Sequence, residues 1–294
     1  MDGYLRIGAL ARRTGVSAEL LRAWERRYGL LRPARTDGGF RLFSEDDVRR
    51  VETMRDHLAS GLSAAEAARL SLAAPSADGP VVQRTAAELV ERLERFDETG
   101  AHTLIDSLLA TLTLEAVLRD VVLPALATIG ERWERDETTI AQEHFASALL
   151  RGRLLALARR WGAGSGPHAI LACAPGDLHD LALIAFGLAL RNHGWRITYL
   201  GPDTPVPTTA DTAAELGADV VVVAATLPAR LEEAEAELAR IAHERRLVLA
   251  GPAATRAAAD HIGAELLAGD PVEAAAALAA SHHATDRRDP PRAG

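Results

Sequence analysis

Apolar positions recur every three to four residues from about residue 4 to residue 72, the spacing of amphipathic helices. Within that stretch Ile7-Gly8-Ala9-Leu10-Ala11-Arg12-Arg13-Thr14 reads as a helix, Gly15 as its stop, and Ser17 as the N-cap of a second helix. Leu20, Leu21 and Trp24 are the expected buried stripe of that second helix, which leaves Glu19, Arg22, Ala23, Arg26 and Arg27 on its outer face. Arg32, Arg35, Asp37-Gly38-Gly39 and Arg41 follow as a glycine-tipped hairpin rich in cations. Small residues and prolines from Ala73 to Pro80 predict a linker, placed at residues 75–81.

From Val82 to Trp161 the helical spacing returns in four segments. Their anchors are Leu89, Leu93 and Phe96; Leu104, Leu108 and Leu109; Leu118, Val121 and Val122; and Phe145, Leu149 and Leu150. Four segments with short connections predict a four-helix bundle over residues 82–162. After a second linker, Gly162 to Pro167, short β-like runs alternate with helices: Ala169–Ala172, Arg196–Leu200, Val220–Ala224, Leu247–Ala250 and a weaker run near Glu265. That alternation predicts a five-stranded parallel sheet of the flavodoxin or Rossmann-like α/β class over residues 167–280. Residues 281–294 are polar and proline-containing, a disordered tail by composition. The expected fold class is therefore multi-domain, with a mainly helical, winged helix-turn-helix unit over residues 1–74, then the bundle, then the α/β domain.

Composition narrows the function. No run approaches the length of apolar chain that a membrane span needs, and no apolar leader precedes Arg12 and Arg13, so a cytoplasmic protein with no membrane partner is expected. Cys173 is the only cysteine, which excludes a disulfide framework and a thiolate metal cluster. The net charge is −8, yet residues 1–43 carry nine Arg against Asp2, Glu19, Glu25 and Asp37, a local +5 that leaves −13 for the remainder. Positive charge gathered at one end of an acidic chain points to phosphate, and double-stranded operator DNA is the expected partner. In a helix-turn-helix the second helix enters the major groove, where arginine contacts guanine edges or phosphates. The candidate DNA-binding residues are Arg12, Arg13, Ser17, Arg22, Arg26, Arg27 and Tyr28, with Arg35 and Arg41 on the wing.

The same segment resembles the MerR family. The matching stretches are Ile7 to Val16, Leu21-Arg22-Ala23-Trp24-Glu25-Arg26-Arg27-Tyr28-Gly29-Leu30, Gly39-Phe40-Arg41-Leu42-Phe43 and Ser44-Glu45-Asp46-Asp47-Val48. The Trp-Glu-Arg-Arg-Tyr version is similar to the branch that includes the carotenoid-gene repressors. Metal-sensing members use cysteines, and this segment has none.

A second constellation lies at Gly176-Asp177-Leu178-His179-Asp180, directly after the first predicted strand of the α/β region. Ligands of doubly wound sheets sit at the carboxyl ends of strands. An imidazole there offers one nitrogen to a metal, while a carboxylate two residues earlier holds the other nitrogen and fixes the tautomer. Bundle, then sheet, then Asp-x-His at the strand end resembles the cobalamin-binding modules of methionine synthase and of the light-responsive repressors of the CarH/LitR type. The bundle adds Pro124, Ile129-Gly130 and Trp133, followed ten residues later by Glu143-His144.

By that resemblance His179 is the lower axial ligand of cobalt and Asp177 its orienting partner. Trp133, Ile140, Glu143 and His144 cover the upper, adenosyl face. Thr226, Leu227 and Gly251 line the nucleotide-tail channel. The implied cofactor is adenosylcobalamin, and the implied state is a homo-oligomer, dimer or tetramer, that binds operator repeats through several wings at once.

The chain departs from the family pattern at Ala182, where Asp-x-His-x-x-Gly ends in glycine, at Ala225, where Ser-x-Leu begins, and at Ala250, the first of paired glycines. Added methyls are expected to narrow the tail channel, and Thr226 to point away from it by strand alternation. Glu134 replaces the histidine that some members place after the tryptophan, so a photoproduct other than the bis-histidine adduct is expected. Two other readings stay open: a MerR-type regulator that works without cobalamin, and a corrinoid-dependent enzyme or methyl carrier, for which the chain has no spare length for a substrate barrel. No Ser/His/Asp constellation or phosphate-binding glycine loop indicates other catalysis, so no enzyme activity is expected.

Overall fold

The computed structural model describes residues 5–31, 33–35, 41–59, 62–73 and 79–286, and the chain forms two compact units that divide after Arg84. In the first unit, α1 (Ile7–Thr14) and α2 (Ala18–Tyr28) are joined at Gly15, whose φ of 72° is left-handed and so favours glycine. Ser17 caps α2, its Oγ accepting from the N–H of Leu20 at 3.2 Å. Strands β1 (Ala34–Arg35) and β2 (Arg41–Leu42) pair antiparallel. The tip expected at Asp37-Gly38-Gly39 lies outside the described residues, as does Arg32.

Helices α3 (Glu45–Ala59) and α4 (Ala64–Ala73) close a core of Leu10, Leu21, Trp24, Leu30, Phe43 and Met54. Leu20 corrects the expected stripe: it is 44% exposed. Leu21, Trp24 and half-buried Tyr28 already fill that face, and Leu20 stands about 100° round the helix from Leu21.

The division between the units falls within α5 (Gly79–Glu94), so the predicted linker at 75–81 already ends in helix. Three further segments follow: α6 (Glu98–Leu109), then α7 (Leu114–Val117) running through a π turn (Leu118–Val122) into α8 (Leu123–Glu134), then α9 (Ile140–Leu157). The widened turn sits immediately before Pro124, which has no N–H to continue the regular ladder. Thr139 and Gln142 form a capping box that fixes the start of α9. Phe96 departs from its expected core role: it follows α5 with φ at 58°, half exposed, and packs edge-on against Phe145 with ring centroids 5.2 Å apart.

The α/β region alternates β3 (His168–Cys173), α10 (Leu181–Asn192), β4 (Arg196–Gly201), α11 (Val206–Glu215), β5 (Val220–Ala224), α12 (Pro228–Glu244), β6 (Leu247–Ala250), α13 (Arg256–Ile262), β7 (Glu265–Leu266) and α14 (Pro271–Asp286). The strand order is β4-β3-β5-β6-β7, all parallel, so the order reverses between β3 and β5 and opens a crevice at their carboxyl ends.

Strand alternation splits the core into two layers. Ala169, Leu171, Cys173, Val220 and Val222 face one layer, and Ile170, Val221 and Val223 face the other. The first layer also contains Val117, Leu118, Val122 and Leu154 of the bundle, so bundle and sheet share one hydrophobic core. The predicted tail is corrected in part, because α14 continues to Asp286. Trp195 packs edge-on against His282 at 4.9 Å, and Arg246 donates to the Ser281 hydroxyl, which ties down that last stretch.

Candidate functional site

On the first unit, Arg12 and Arg13 of α1 and Arg22, Arg26 and Arg27 of α2 are exposed. Arg22 and Arg26 stand four residues apart on one face of α2, the spacing that presents two cations side by side. The Arg27 guanidinium lies 5.6 Å from the centre of the Tyr28 ring, a cation–π contact at the end of the helix. Arg41 is tied to Glu25 at 3.1 Å, which fastens the wing strand to α2 and offsets part of its charge. Ser17 is exposed, with its hydroxyl engaged in the cap. The Arg35 side chain lies outside the described residues.

At the crevice of the sheet, the loop between β3 and α10 turns at Gly176 (φ 75°), whose N–H donates to Asp203 Oδ1 at 2.7 Å from the loop after β4. Asp177 follows with only 3% of its surface exposed. Its Oδ1 accepts from the N–H of His179 and faces His179 Nδ1, both at 3.0 Å. Its Oδ2 accepts from the Thr226 N–H at 2.5 Å and from the Thr226 hydroxyl at 2.7 Å.

Burial alone would raise the pKa of this carboxyl. The hydrogen bonds from His179 and Thr226 outweigh that and hold it below the ordinary value. An ionised carboxylate can only accept, so Nδ1 donates and Nε2 is the ring nitrogen left over for a metal. The His179 side chain is 71% exposed. An oriented imidazole thus stands at the crevice with one nitrogen available to a metal.

Among the described residues no three His, Cys, Asp or Glu side chains cluster to cage a bare ion. Cys173 is no competitor: burial, followed by the charges of Asp177 and Asp180, pushes its thiol up to about 12.

The expectation for Thr226 is corrected. β5 ends at Ala224, so Thr226 lies in the loop beyond it, where strand alternation no longer sets direction, and its hydroxyl reaches Asp177 and lies 3.1 Å from His179 Nδ1. Leu227, the next residue, is exposed.

Beside His179 a cavity of about 500 Å³ opens between α10 and the ends of β5 and β6, within the size range of small-molecule pockets. Ala182, Ala225 and Ala250 line it without closing it. Gly251 is also in the wall; its φ is 90°, and a Cβ there would stand 2.4 Å from the Ala225 carbonyl oxygen. Next to an available imidazole nitrogen, this cavity has room for part of a largely apolar bound group.

On the bundle, Trp133 is 48% and Ile140 63% exposed, so neither is a core residue. Ile140, His144, Ser147 and Arg151 recur along one stripe of α9. Glu143 accepts from the Ser147 hydroxyl at 2.6 Å, and His144 is exposed. The far end of the stripe meets the sheet: Arg151 Nε donates to Asp180 Oδ2 at 2.6 Å, and Tyr199 of β4 donates to the same oxygen. Asp180 is buried and directly follows His179. Sequence reasoning missed this Arg151–Asp180–Tyr199 cluster; adjacency to His179 was its one visible signal.

Comparison with known proteins follows the same division. Residues 5–73 match the family described as MerR HTH family regulatory protein, and residues 85–158 and 167–279 match two families each described as B12 binding domain. The chain is 31% identical over 249 residues to the HTH-type transcriptional repressor CarH of Myxococcus xanthus, covering 80% of this chain and 83% of that protein. It is 34% identical over 222 residues to CarA, an HTH-type transcriptional repressor of the same organism, covering 74% and 75%. The monomethylamine corrinoid protein of Methanosarcina barkeri shares the fold with a TM-score of 0.58 and 19% identity, over 68% of this chain and 99% of that one.

Proposed function

We propose, from the premise that this chain belongs to the MerR-type helix-turn-helix regulators that carry B12 binding domains, that it is a transcriptional repressor whose assembly on DNA is set by adenosylcobalamin and released by light. The single observation that carries the cofactor reading is the imidazole of His179, held at Nδ1 by Asp177 with Nε2 left to coordinate, beside a cavity that suits the nucleotide tail. Adenosylcobalamin, when bound, supplies a cobalt–carbon bond that light breaks.

Every other role belongs to the chain. His179 would ligate cobalt from below, Asp177 and Thr226 would hold its tautomer and direction, and Leu227 and Gly251 would flank the tail. Trp133, Ile140, Glu143 and His144 would cover the upper ligand, and the loss of that ligand would remove what they pack against. The exposed arginines of α2 would read the operator. Joining several wings in one homo-oligomer, dimer or tetramer, raises operator affinity without new contacts, so dissociation of the assembly releases DNA.

Glu134 is exposed and follows Trp133 directly. A carboxylate is a poor partner for low-spin cobalt, so a bis-imidazole spectrum after illumination would have to come from His144 or another histidine. We assign the chain a cytoplasmic location and a regulatory role, since its B12 binding domains are joined to a MerR-type DNA reader. The described residues include no helix long and apolar enough to cross a membrane.

The test adds adenosylcobalamin in the dark to the full chain and records absorption spectrum, molecular mass and operator binding before and after illumination. A bound spectrum, a larger assembly in the dark and weaker DNA binding after light are expected. His179→Ala should lose the spectrum of protein-coordinated cobalt; an unchanged spectrum refutes the ligand assignment. Operator binding indifferent to the cofactor would favour a regulator that works without cobalamin.

A further inference from the structure

The residues assigned to the upper face arrive on two separate stretches of chain. Trp133 lies at the end of α8, whereas Ile140, Glu143 and His144 lie in the first turns of α9. The turn between them contains Asp136 with φ at 57°, a left-handed value that a non-glycine residue adopts at a cost. Inside the turn the Asp136 N–H donates to the Trp133 carbonyl at 3.0 Å, and the Glu137 N–H to the Arg132 carbonyl at 2.8 Å. Further ties lead to one residue of another helix.

That residue is Glu94, the last of α5, and it gathers groups from both sides of the turn. Arg132 Nη1 donates to both of its carboxylate oxygens, at 2.9 and 2.7 Å. The hydroxyl of buried Thr138 donates to Oε1 at 2.9 Å. The Glu94 carbonyl, left over at the helix end, accepts from the Gln142 side-chain amide at 2.8 Å. Gln142 also belongs to the capping box that starts α9. Glu94 is thus bonded to the neighbour of Trp133, to the turn, and to the neighbour of Glu143. Phe96, two residues further on, packs against Phe145, the neighbour of His144, and braces the same junction. The Glu94 side chain is only 20% exposed, so its ion pair with Arg132 is screened less than a pair out in water.

We infer that Glu94 is a positioning residue for the upper face: it fixes the spacing between Trp133 and the Glu143–His144 edge, and thereby how well this chain grips a bulky upper ligand. The inference rests on the proposed cofactor reading and adds to it a residue outside the site. Two halves already held at a set spacing carry little ordering cost when a ligand arrives. Halves joined by a loose turn must be ordered on binding, and each immobilised side chain then weakens affinity about two- to tenfold. That cost falls on a ligand large enough to touch both halves. An adenosyl group is large enough; a methyl group is not.

The experiment titrates the full chain in the dark with adenosylcobalamin and with methylcobalamin, followed by visible absorption, for the parent, Glu94→Ala, Glu94→Gln and Arg132→Met. Glu94→Ala should lower the preference for the adenosyl over the methyl form by about fivefold, with the methyl dissociation constant unchanged. Glu94→Gln keeps an oxygen for Thr138 and the backbone carbonyl for Gln142, so its loss should be smaller. Arg132→Met cuts the same pair from the other side and should also lower the preference. Urea denaturation of the cofactor-free variants reads their folding stability separately. Equal weakening of both forms would make Glu94 a support of the bundle alone and overturns the inference. If the alanine variant fails to fold, the glutamine and methionine variants decide, and an unchanged preference in both overturns it as well. A parent chain that binds neither form is instead the failure of the cofactor reading, visible before any variant is made.

Discussion

Thr226→Val tests whether the threonine hydroxyl orients the metal-binding imidazole or only fills space. The substitution keeps the shape of the side chain and leaves the backbone N–H of residue 226 donating to Asp177 Oδ2 at 2.5 Å. It removes one of the four hydrogen bonds that hold a carboxylate with 3% of its surface exposed. A hydrogen bond to an ionised group contributes about 1.5–3 kcal/mol, and three of the four remain, so a loss of about 1.5 kcal/mol in folding stability is expected. Removing an outer partner of a metal-ligating histidine weakens the metal site about 10–100-fold. With Asp177 still in place the lower end applies, about tenfold in corrinoid affinity. Urea denaturation of the cofactor-free chain reads the first number and titration by visible absorption the second. Thr226→Ser should restore both. A valine variant that loses stability yet binds the corrinoid as tightly as the parent would refute the orienting role.

On the DNA side, Arg22→Ala and Arg26→Ala should each weaken operator binding, and a lost phosphate contact lowers the slope of log affinity against log salt by about 0.9, whereas a lost guanine contact costs about 1–3 kcal/mol and relaxes sequence preference; fluorescence anisotropy across a salt series separates the two. Arg151→Met leaves buried Asp180 with Tyr199 as its remaining side-chain donor. Because the arginine side chain is 41% exposed, the expected loss is about 1–3 kcal/mol by urea denaturation, less than for a fully buried pair. His168 has its pKa lowered by burial first and by the Arg196 charge second, so the folded state resists its protonation. The stability this imidazole allows is whole above its ordinary value of 6.5 and is lost as pH falls from there toward the lowered folded value. His168→Gln should flatten that acid limb in pH-dependent denaturation, and an unchanged limb would assign it to other groups.

How much of this was legible in the sequence depended on the range of the interaction. Val220–Ala224 and Leu247–Ala250 are strands with the same ends as their apolar runs, because a strand buried on both faces is apolar throughout and stops where the turn begins. Asp177 and His179 were legible for a similar local reason, since both lie in one short loop. Arg151 and Asp180 are 29 residues apart in sequence, and nothing local to either announces the other. Thr226 was misread because alternation was carried one turn too far beyond β5. Leu20 and Phe96 were misread because an apolar residue beside a helical stripe or at a helix end need not be buried. The extension of α14 beyond residue 280 was hidden by its polar composition, which tertiary contacts at Ser281 and His282 override.

The two buried aspartates around His179 do different work, and the difference bears on how a ligand could move the fold. Asp177 holds the imidazole of His179 and is itself held by Thr226 in the loop after β5. Asp180 looks toward the bundle and fixes the loop to α9 through Arg151. Seven residues separate Arg151 from His144 on the same stripe, about 10 Å along the helix axis. A group gripped by His179 below and packed against the outer part of that stripe above would press on both ends of one rigid element. The polar cluster that sequence patterning missed is therefore a direct hydrogen-bonded link from the loop that carries the candidate metal ligand to the bundle.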